Sequence, residues 1–193
     1  MNKAIFLDRD GVINKMIFNE ITNEFEPPFK AGDLNLYDGV TEALKLFSEN
    51  DYRLFLVSNQ PDHAKGKTKI ENLKIVHDKL QEILKREEIF FTEYYYCYHH
   101  PEGIVKEYTL NCECRKPKPF FVFKAINEYN IDSGKSWFIG DRDTDIECGK
   151  ASGLKTILIE NPDSENYRGK SDPDHKAADL FRAAEIILNH QQN

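Results

Sequence analysis

The chain contains no apolar run long enough to span a bilayer, which takes about 20 consecutive apolar residues. Its N-terminus carries strand-type residues where a secretory signal would need its apolar core. Both absences predict a cytosolic protein, hence a cytoplasmic location, with no membrane partner. Basic charge is not in excess either: 26 Lys and Arg stand against 33 Asp and Glu, a formal net charge of −7. Nonspecific nucleic-acid binders lean on a basic face, so no nucleic-acid partner is expected, although a local basic cluster can still serve a phosphorylated small molecule. Cysteine is sparse. Three of the four, Cys97, Cys112 and Cys114, sit close together, which suggests metal before disulfides in a reducing compartment. No internal repeat, low-complexity tract or composition break sets a boundary, and residues 1–193 read as one domain. Apolar material is ample: 40% hydrophobic and 12% aromatic residues suffice for a core that buries roughly 70% of the unfolded surface.

The apolar patterning alternates between strand and helix. Strands are expected at Lys3–Leu7, Tyr52–Val57, Phe91–Cys97, Ser136–Ile139 and Lys155–Ile159. Helices are expected at Gly39–Glu49, Lys69–Arg86, Phe120–Tyr129, Thr144–Ala151 and Lys176–Asn189, the second marked as amphipathic by Ile70, Leu73, Val76, Leu80, Ile83 and Leu84. Residues 14–38, with Pro27-Pro28, are too irregular to assign, and Asp163–Asp174 reads as a loop. The alternation implies an α/β fold, a parallel sheet with helices on both faces.

Five features carry chemistry. In Phe6-Leu7-Asp8-Arg9-Asp10-Gly11 two carboxylates one residue apart follow a buried strand, and residues i and i+2 share a face. Gly11 lets the chain turn away. Such a pair at the carboxyl edge of a parallel sheet suits a magnesium ion and a phosphate. Ser58 and Asn59 end the second strand with a hydroxyl and an amide able to donate to a phosphoryl oxygen. Arg115-Lys116-Pro117-Lys118-Pro119 presents basic side chains on a restricted backbone, with Lys116 a point charge for a transferring phosphoryl group and Arg115 a fork for a second phosphate. Gly140-Asp141-Arg142-Asp143-Thr144-Asp145 brings a third acid, Asp141, with Asp145 a helical turn further on. Acids gathered this way repel unless a divalent cation holds them, and carboxylate ligands favour magnesium. Finally, Cys97, His99, Cys112 and Cys114 form two chelating pairs, a closed Cys3His set typical of structural zinc, with His100 a rival for His99.

With these features in this order, from Phe6 to about Ile159, the chain resembles the haloacid dehalogenase-like phosphatases. Within them it is most similar to the D-glycero-D-manno-heptose 1,7-bisphosphate phosphatase branch, a close relative of the histidinol-phosphate phosphatases. The cysteine loop followed at once by Arg115-Lys116-Pro117 is the most branch-specific element, and its length favours the heptose enzymes.

The resemblance implies a doubly wound parallel sheet with no large cap and a zinc-stabilised loop at the entrance. It implies an Asp8 nucleophile and an Asp10 general acid/base. Ser58, Asn59 and Lys116 would bind the transferring phosphate, and magnesium would be held by Asp8, the Asp10 backbone carbonyl and Asp141, with Asp145 behind them. Lys65, Gly66, Arg115 and Arg142 would lie near a small phosphorylated sugar substrate, and the protein would be a monomer. Two stretches depart from the family pattern. Pro61-Asp62-His63-Ala64 replaces a small, apolar-leaning turn, and Phe18–Pro28 is more elaborate than the usual first connection. Competing expectations are a histidinol-phosphate phosphatase, a polynucleotide 3′-phosphatase, which would want a basic groove, and a catalytically idle zinc-containing module that binds phosphosugars.

Overall fold

The strands follow from short apolar runs rich in aromatic and branched residues. In the structure, a computed structural model describing residues 1–190, they assemble into one six-stranded sheet. The last three residues of the domain expected over 1–193 lie outside the described residues. The sheet strands are β1 (Lys3–Leu7), β4 (Tyr52–Asn59), β5 (Glu93–Cys97), β6 (Trp137–Gly140), β7 (Lys155–Ile159) and β8 (His175–Ala177). They run parallel in the order β5-β4-β1-β6-β7-β8. The helices are α1 (Val40–Glu49), α2 (Ile70–Arg86), α3 (Phe120–Tyr129), α4 (Asp143–Ala151) and α5 (Leu180–Asn189). Chain order reverses on either side of β1. That is the topological switch point where open α/β sheets bind ligands.

The alternation of side chains along a strand gives the sheet two apolar faces. Ile5, Leu7, Leu54, Leu56 and Ile139 pack with Leu44 and Phe47 of α1, Val76 and Leu80 of α2, and Ala183 and Ile187 of α5. On the other face Ala4, Phe6, Phe55, Val57 and Phe138 pack with Val122 and Ala125 of α3 and Cys148 of α4. The rings of Phe55 and Phe138 stack on either side of Phe6 at 5.0 and 6.4 Å. Each such ring is worth roughly 1.5–3 kcal/mol of burial, so the strand that leads to Asp8 is fixed by core packing, with Ala4, Ile5, Phe6 and Leu7 all fully buried.

Two segments differ from the sequence reading. Residues 14–38 contain an antiparallel hairpin, β2 (Ile17–Asn19) with β3 (Glu24–Glu26), closed by Phe18 against Phe25 at 5.2 Å. Strands of three residues are too short to show a period, so pairing alone creates them. The expected helix from Lys176 begins later, at Leu180, where the Asp179 side chain caps the Arg182 N–H. Residues His175–Ala177 instead extend the sheet against β7, an instance of tertiary pairing overriding helix propensity. The loop between β7 and β8 winds through a 3-10 stretch, Pro162–Tyr167.

That loop is tied to α4 by one carboxylate. Asp143 accepts the N–H groups of Gly169, Lys170 and Ser171 at 3.2, 2.9 and 3.0 Å, together with the Ser171 hydroxyl. Burial opposes its charge, but these donors hold the carboxyl below its ordinary value. A depressed carboxyl stabilises the fold above its unfolded pKa and loses that contribution as pH falls through the folded value. Asp143→Ala is therefore expected to cost about 1–3 kcal/mol at pH 7, with the gap to wild type narrowing toward pH 3, read by urea denaturation at both pH values.

Candidate active site

β1 delivers the first two acids to the sheet's carboxyl edge. The Asp8 N–H donates to the Ile139 carbonyl at 3.1 Å, continuing the β1–β6 pairing by one residue, and Gly11 turns the chain away at φ +88°. A Cβ at Gly11 would lie 2.2 Å from the Asp141 carboxylate. Across the gap, α4 starts directly after β6, and the Asp145 carboxylate accepts the Arg142 N–H at 3.1 Å to close its first turn. A Cβ at Gly140 would lie 2.1 Å from that of Asp145. Two glycines thus permit the approach of Asp8, Asp141 and Asp145, all buried, with carboxylate oxygens within 4.8 Å of one another.

Lys116 enters this cluster from the connection between β5 and α3. Its ammonium lies 3.0 Å from Asp8 Oδ1 and 2.7 Å from Asp145 Oδ1 and donates to the Val57 carbonyl at 2.6 Å. Asn59 holds the lysine's backbone, donating to its carbonyl and accepting its N–H, both at 3.1 Å. The Asn59 amide expected on a phosphoryl oxygen is thus engaged in placing Lys116. The Lys116–Pro117 bond is cis. Burial raises the cost of ionising Asp8, yet Lys116, Ser58 and Arg142 together hold its carboxyl below the ordinary value. Burial works against the charge on Lys116 too, and Asp145 and Asp8 overcome it.

Asp141 is the opposite case. Both of its oxygens are buried without a hydrogen-bond donor among the described residues. Burial, with Asp145 and Asp8 nearby, pushes the carboxyl up to about 8 in spite of Arg142. An orphaned buried carboxylate flanked by two others fits a hard divalent cation, which satisfies the oxygens and removes the repulsion at once.

Sequence reasoning missed the apparatus around Asp10. Arg9, completely enclosed, sends Nε and Nη2 to the Asp10 carboxylate at 3.1–3.2 Å and Nη2 to Gln60 Oε1 at 2.8 Å. Gln60 in turn donates to Asp10, and Asn14 donates to it at 2.9 Å. The Arg9 guanidinium lies 5.8 Å from the Tyr96 ring, whose hydroxyl is 2.9 Å from His77 Nδ1. A buried arginine between two acids is the signal that could have been read, because such a charge survives only when paired.

The cysteine cluster assembles at the neighbouring edge. Asn59 pairs with Cys97 in the β4–β5 register, and the Gln60 N–H donates to the Cys97 carbonyl at 2.7 Å. The sulfurs of Cys97, Cys112 and Cys114 are 3.2–3.4 Å apart, far beyond a disulfide bond, and His99 Nδ1 lies 3.4 Å from Cys114. These four residues can hold a metal ion. Of the two histidines, His99 joins the cluster, and His100 lines the cleft. Arg115 donates to the His99 carbonyl at 3.3 Å and also faces the cleft.

The cleft encloses about 340 Å³ above Asp8 and Asp10. Asn59, Lys65, Arg115, Lys116 and Arg142 line it, whereas Ser58 lies beneath, receiving a hydrogen bond from Gln60 at 3.1 Å. The structure adds residues that no motif announced. Glu24, Phe25 and Glu26 come from the hairpin, and Tyr167 comes from the β7–β8 loop, its ring 4.4 Å from the Arg142 guanidinium. Gly66 turns the loop after β4 at φ +70° against Ile104.

This arrangement has counterparts. A HAD-hydrolase-like family model matches residues 113–183. The D-glycero-D-manno-heptose-1,7-bisphosphate 7-phosphatase of Chlorobaculum tepidum is 35% identical over 189 residues, 94% of this chain and 92% of that protein. The chain belongs to the heptose bisphosphate phosphatase branch of the haloacid dehalogenase-like phosphatases. The Pasteurella multocida D-glycero-beta-D-manno-heptose-1,7-bisphosphate 7-phosphatase is 36% identical over 160 residues, 82% of each chain. In fold, the D,D-heptose 1,7-bisphosphate phosphatase of B. bronchiseptica superposes with a TM-score of 0.80, at 23% identity, over 97% of this chain and 99% of that one. As in any haloacid dehalogenase-like phosphatase, the chemistry is phosphate-ester hydrolysis, and no described helix is long and apolar enough to cross a membrane.

Arg9→Leu strips a buried carboxylate of its charge partner. The expected cost is about 3–5 kcal/mol of stability, measured by chemical denaturation, with a further loss of phosphatase turnover in the fraction that remains folded.

Proposed function

We propose that the chain is a magnesium-dependent phosphomonoesterase that hydrolyses a small sugar bisphosphate through an aspartyl-phosphate intermediate. D-glycero-D-manno-heptose 1,7-bisphosphate, the compound in its relatives' names, is the substrate that best fits. The observation that carries this reading is the Lys116 ammonium seated between Asp8 and Asp145, beside a second acid with its own arginine clamp. Lys116 faces both the attacking carboxylate and the incoming phosphoryl group, which relieves the repulsion between two anions.

In the first step an Asp8 oxygen attacks phosphorus. The phosphorus–oxygen bond to the sugar breaks, and Asp10 gives a proton to the leaving oxygen. In the second step Asp10 takes a proton from water, whose oxygen attacks the aspartyl phosphate, releasing inorganic phosphate and restoring Asp8. Arg9, Gln60 and Asn14 fix the orientation of Asp10 for both transfers. Asp8, Asp141 and the Asp10 backbone carbonyl would hold magnesium, which when bound neutralises charge on the phosphoryl oxygens. Arg115, Arg142 and Lys65 face the rest of the substrate, with Arg115 suited to a second phosphate. Cys97, His99, Cys112 and Cys114 would hold a structural zinc that pins the loop carrying Arg115 and Lys116.

The decisive experiment is phosphate release from sugar phosphates, sugar bisphosphates and histidinol phosphate with magnesium. Heptose 1,7-bisphosphate is expected to be turned over fastest, and histidinol phosphate in first place would refute the substrate assignment. Asp8→Asn should lower kcat at least about 10³-fold, and chelation of magnesium should abolish turnover until the ion is restored. Atomic spectroscopy should find one zinc per chain in wild type and none in Cys112→Ala. Retained zinc in that variant would refute the Cys3His site.

A further inference from the structure

The hairpin and the loop after β4 give the cleft an acidic wall, Glu24, Glu26 and Asp62, in which Lys65 and Lys67 also stand, and Arg115, Lys116 and Arg142 line the rest of it. On the acidic wall Glu26 is satisfied: it accepts from Asn19 at 2.8 Å and from Lys67 at 2.5 Å, an ion pair that pins the hairpin to the loop after β4. Asp62 is different. It is 6% exposed, it lines the cleft, and its carboxylate accepts no hydrogen bond from any described residue. Burial, with Asp10 and Glu26 nearby, pushes its carboxyl up against the pull of Lys67 and Lys65. Unlike those of Asp141, its oxygens are not fully enclosed and keep contact with the cleft, so an acceptor that no protein donor occupies is open to a ligand.

The backbone carrying Asp62 is rigid. The Lys67 N–H returns to the Asp62 carbonyl at 2.8 Å, and the Ala64 carbonyl receives the N–H groups of Ile104 and Val105 at 2.7 and 3.1 Å. The His63 ring packs edge-on against Tyr108 at 4.7 Å. The backbone that carries the carboxylate is thus held by the loop between His99 and Cys112, and a fixed acceptor discriminates better than a mobile one.

We propose that Asp62 is a specificity-determining residue that accepts hydrogen bonds from hydroxyl groups on the non-phosphorylated part of the substrate. Its charge repels a phosphate or carboxylate from the hairpin wall and so directs every anionic group of the substrate to Arg115, Lys116 and Arg142. Lys65 and Lys67 lie close enough to temper the wall's charge, which suits neutral hydroxyls better than an ammonium group. This assignment rests on the sugar-phosphate reading above and names a residue that would select for the sugar's hydroxyls.

The test compares kcat/KM for heptose, hexose and glycerol phosphates with kcat/KM for phenyl phosphate, whose leaving group offers no hydroxyl beyond the ester. Wild type, Asp62→Ala and Asp62→Asn are measured alongside their thermal midpoints. In Asp62→Ala the preference for polyol phosphates over phenyl phosphate should fall about tenfold or more, mainly through KM. Asp62→Asn should show a smaller fall, because its amide oxygen still accepts. Both midpoints should equal or exceed that of wild type, since a burdened carboxylate is removed.

An equal loss on phenyl phosphate, or a lowered midpoint with the preference intact, would make Asp62 a structural residue and overturn the proposal. A selective loss on aminoethyl phosphate would overturn it in favour of an ammonium site. If wild type prefers polyol phosphates and the variants keep that preference, the Asp62 proposal fails and the phosphatase reading stands. If wild type hydrolyses phenyl phosphate without any preference for polyols, the sugar-phosphate assignment fails with it.

Discussion

The site is organised around repulsion. Asp8, Asp141 and Asp145 have carboxylate oxygens within 4.8 Å of one another in a buried space, an arrangement that would drive the sheet edge apart without counter-charge. Lys116 supplies part of it by contacting Asp8 and Asp145. Asp141 has only Arg142 at 4.0 Å and no hydrogen-bond donor among the described residues, and its carboxyl is pushed up to about 8. The same feature therefore constrains folding and points to chemistry: the charge that a divalent cation would complete is the charge a phosphoryl group needs to meet. The cluster must not be balanced by protein alone, because a fully paired site would leave nothing for the ligand.

Much of the remaining structure serves to deliver Lys116. It comes from neither the strand that carries Asp8 nor the helix that carries Asp145. Its backbone is gripped by Asn59 at the end of β4, and the preceding cysteine loop is anchored where Asn59 meets Cys97. The cysteine cluster, the phosphate-side loop and the lysine thus form one connected unit. The Ala64 carbonyl, bonded to Ile104 and Val105, joins the loop after β4 to the same unit. A metal ion in the cluster would stiffen a segment that has few apolar contacts of its own.

Asp10 is held by a separate device. Arg9, Gln60 and Asn14 surround it with fixed donors, so the two acids of one motif sit in contrasting surroundings, one facing a lysine and the other an arginine clamp. Division of labour between paired carboxylates follows from such differences in environment. The cleft repeats that division on a larger scale, with basic side chains toward the reacting centre and acidic ones on the hairpin.

The sequence by itself determined the sheet strands from β1 to β7, the helices packed on them, and the acids at the strand ends, because apolar periodicity and glycine placement are local signals. The Cys3His grouping was legible for the same reason, as two short chelating spacings. Tertiary structure decided what depends on contacts between distant segments. It made a hairpin of residues 17–26, turned His175–Ala177 into a sixth strand, and chose His99 over His100 for the cluster. It also assigned the Asn59 amide to the Lys116 backbone and placed the Asp62 carboxylate in the cleft lining. No spacing along the chain records which side chain a buried polar group will meet, since that partner is fixed by packing between elements far apart in the chain, as Lys116 meets Asp8.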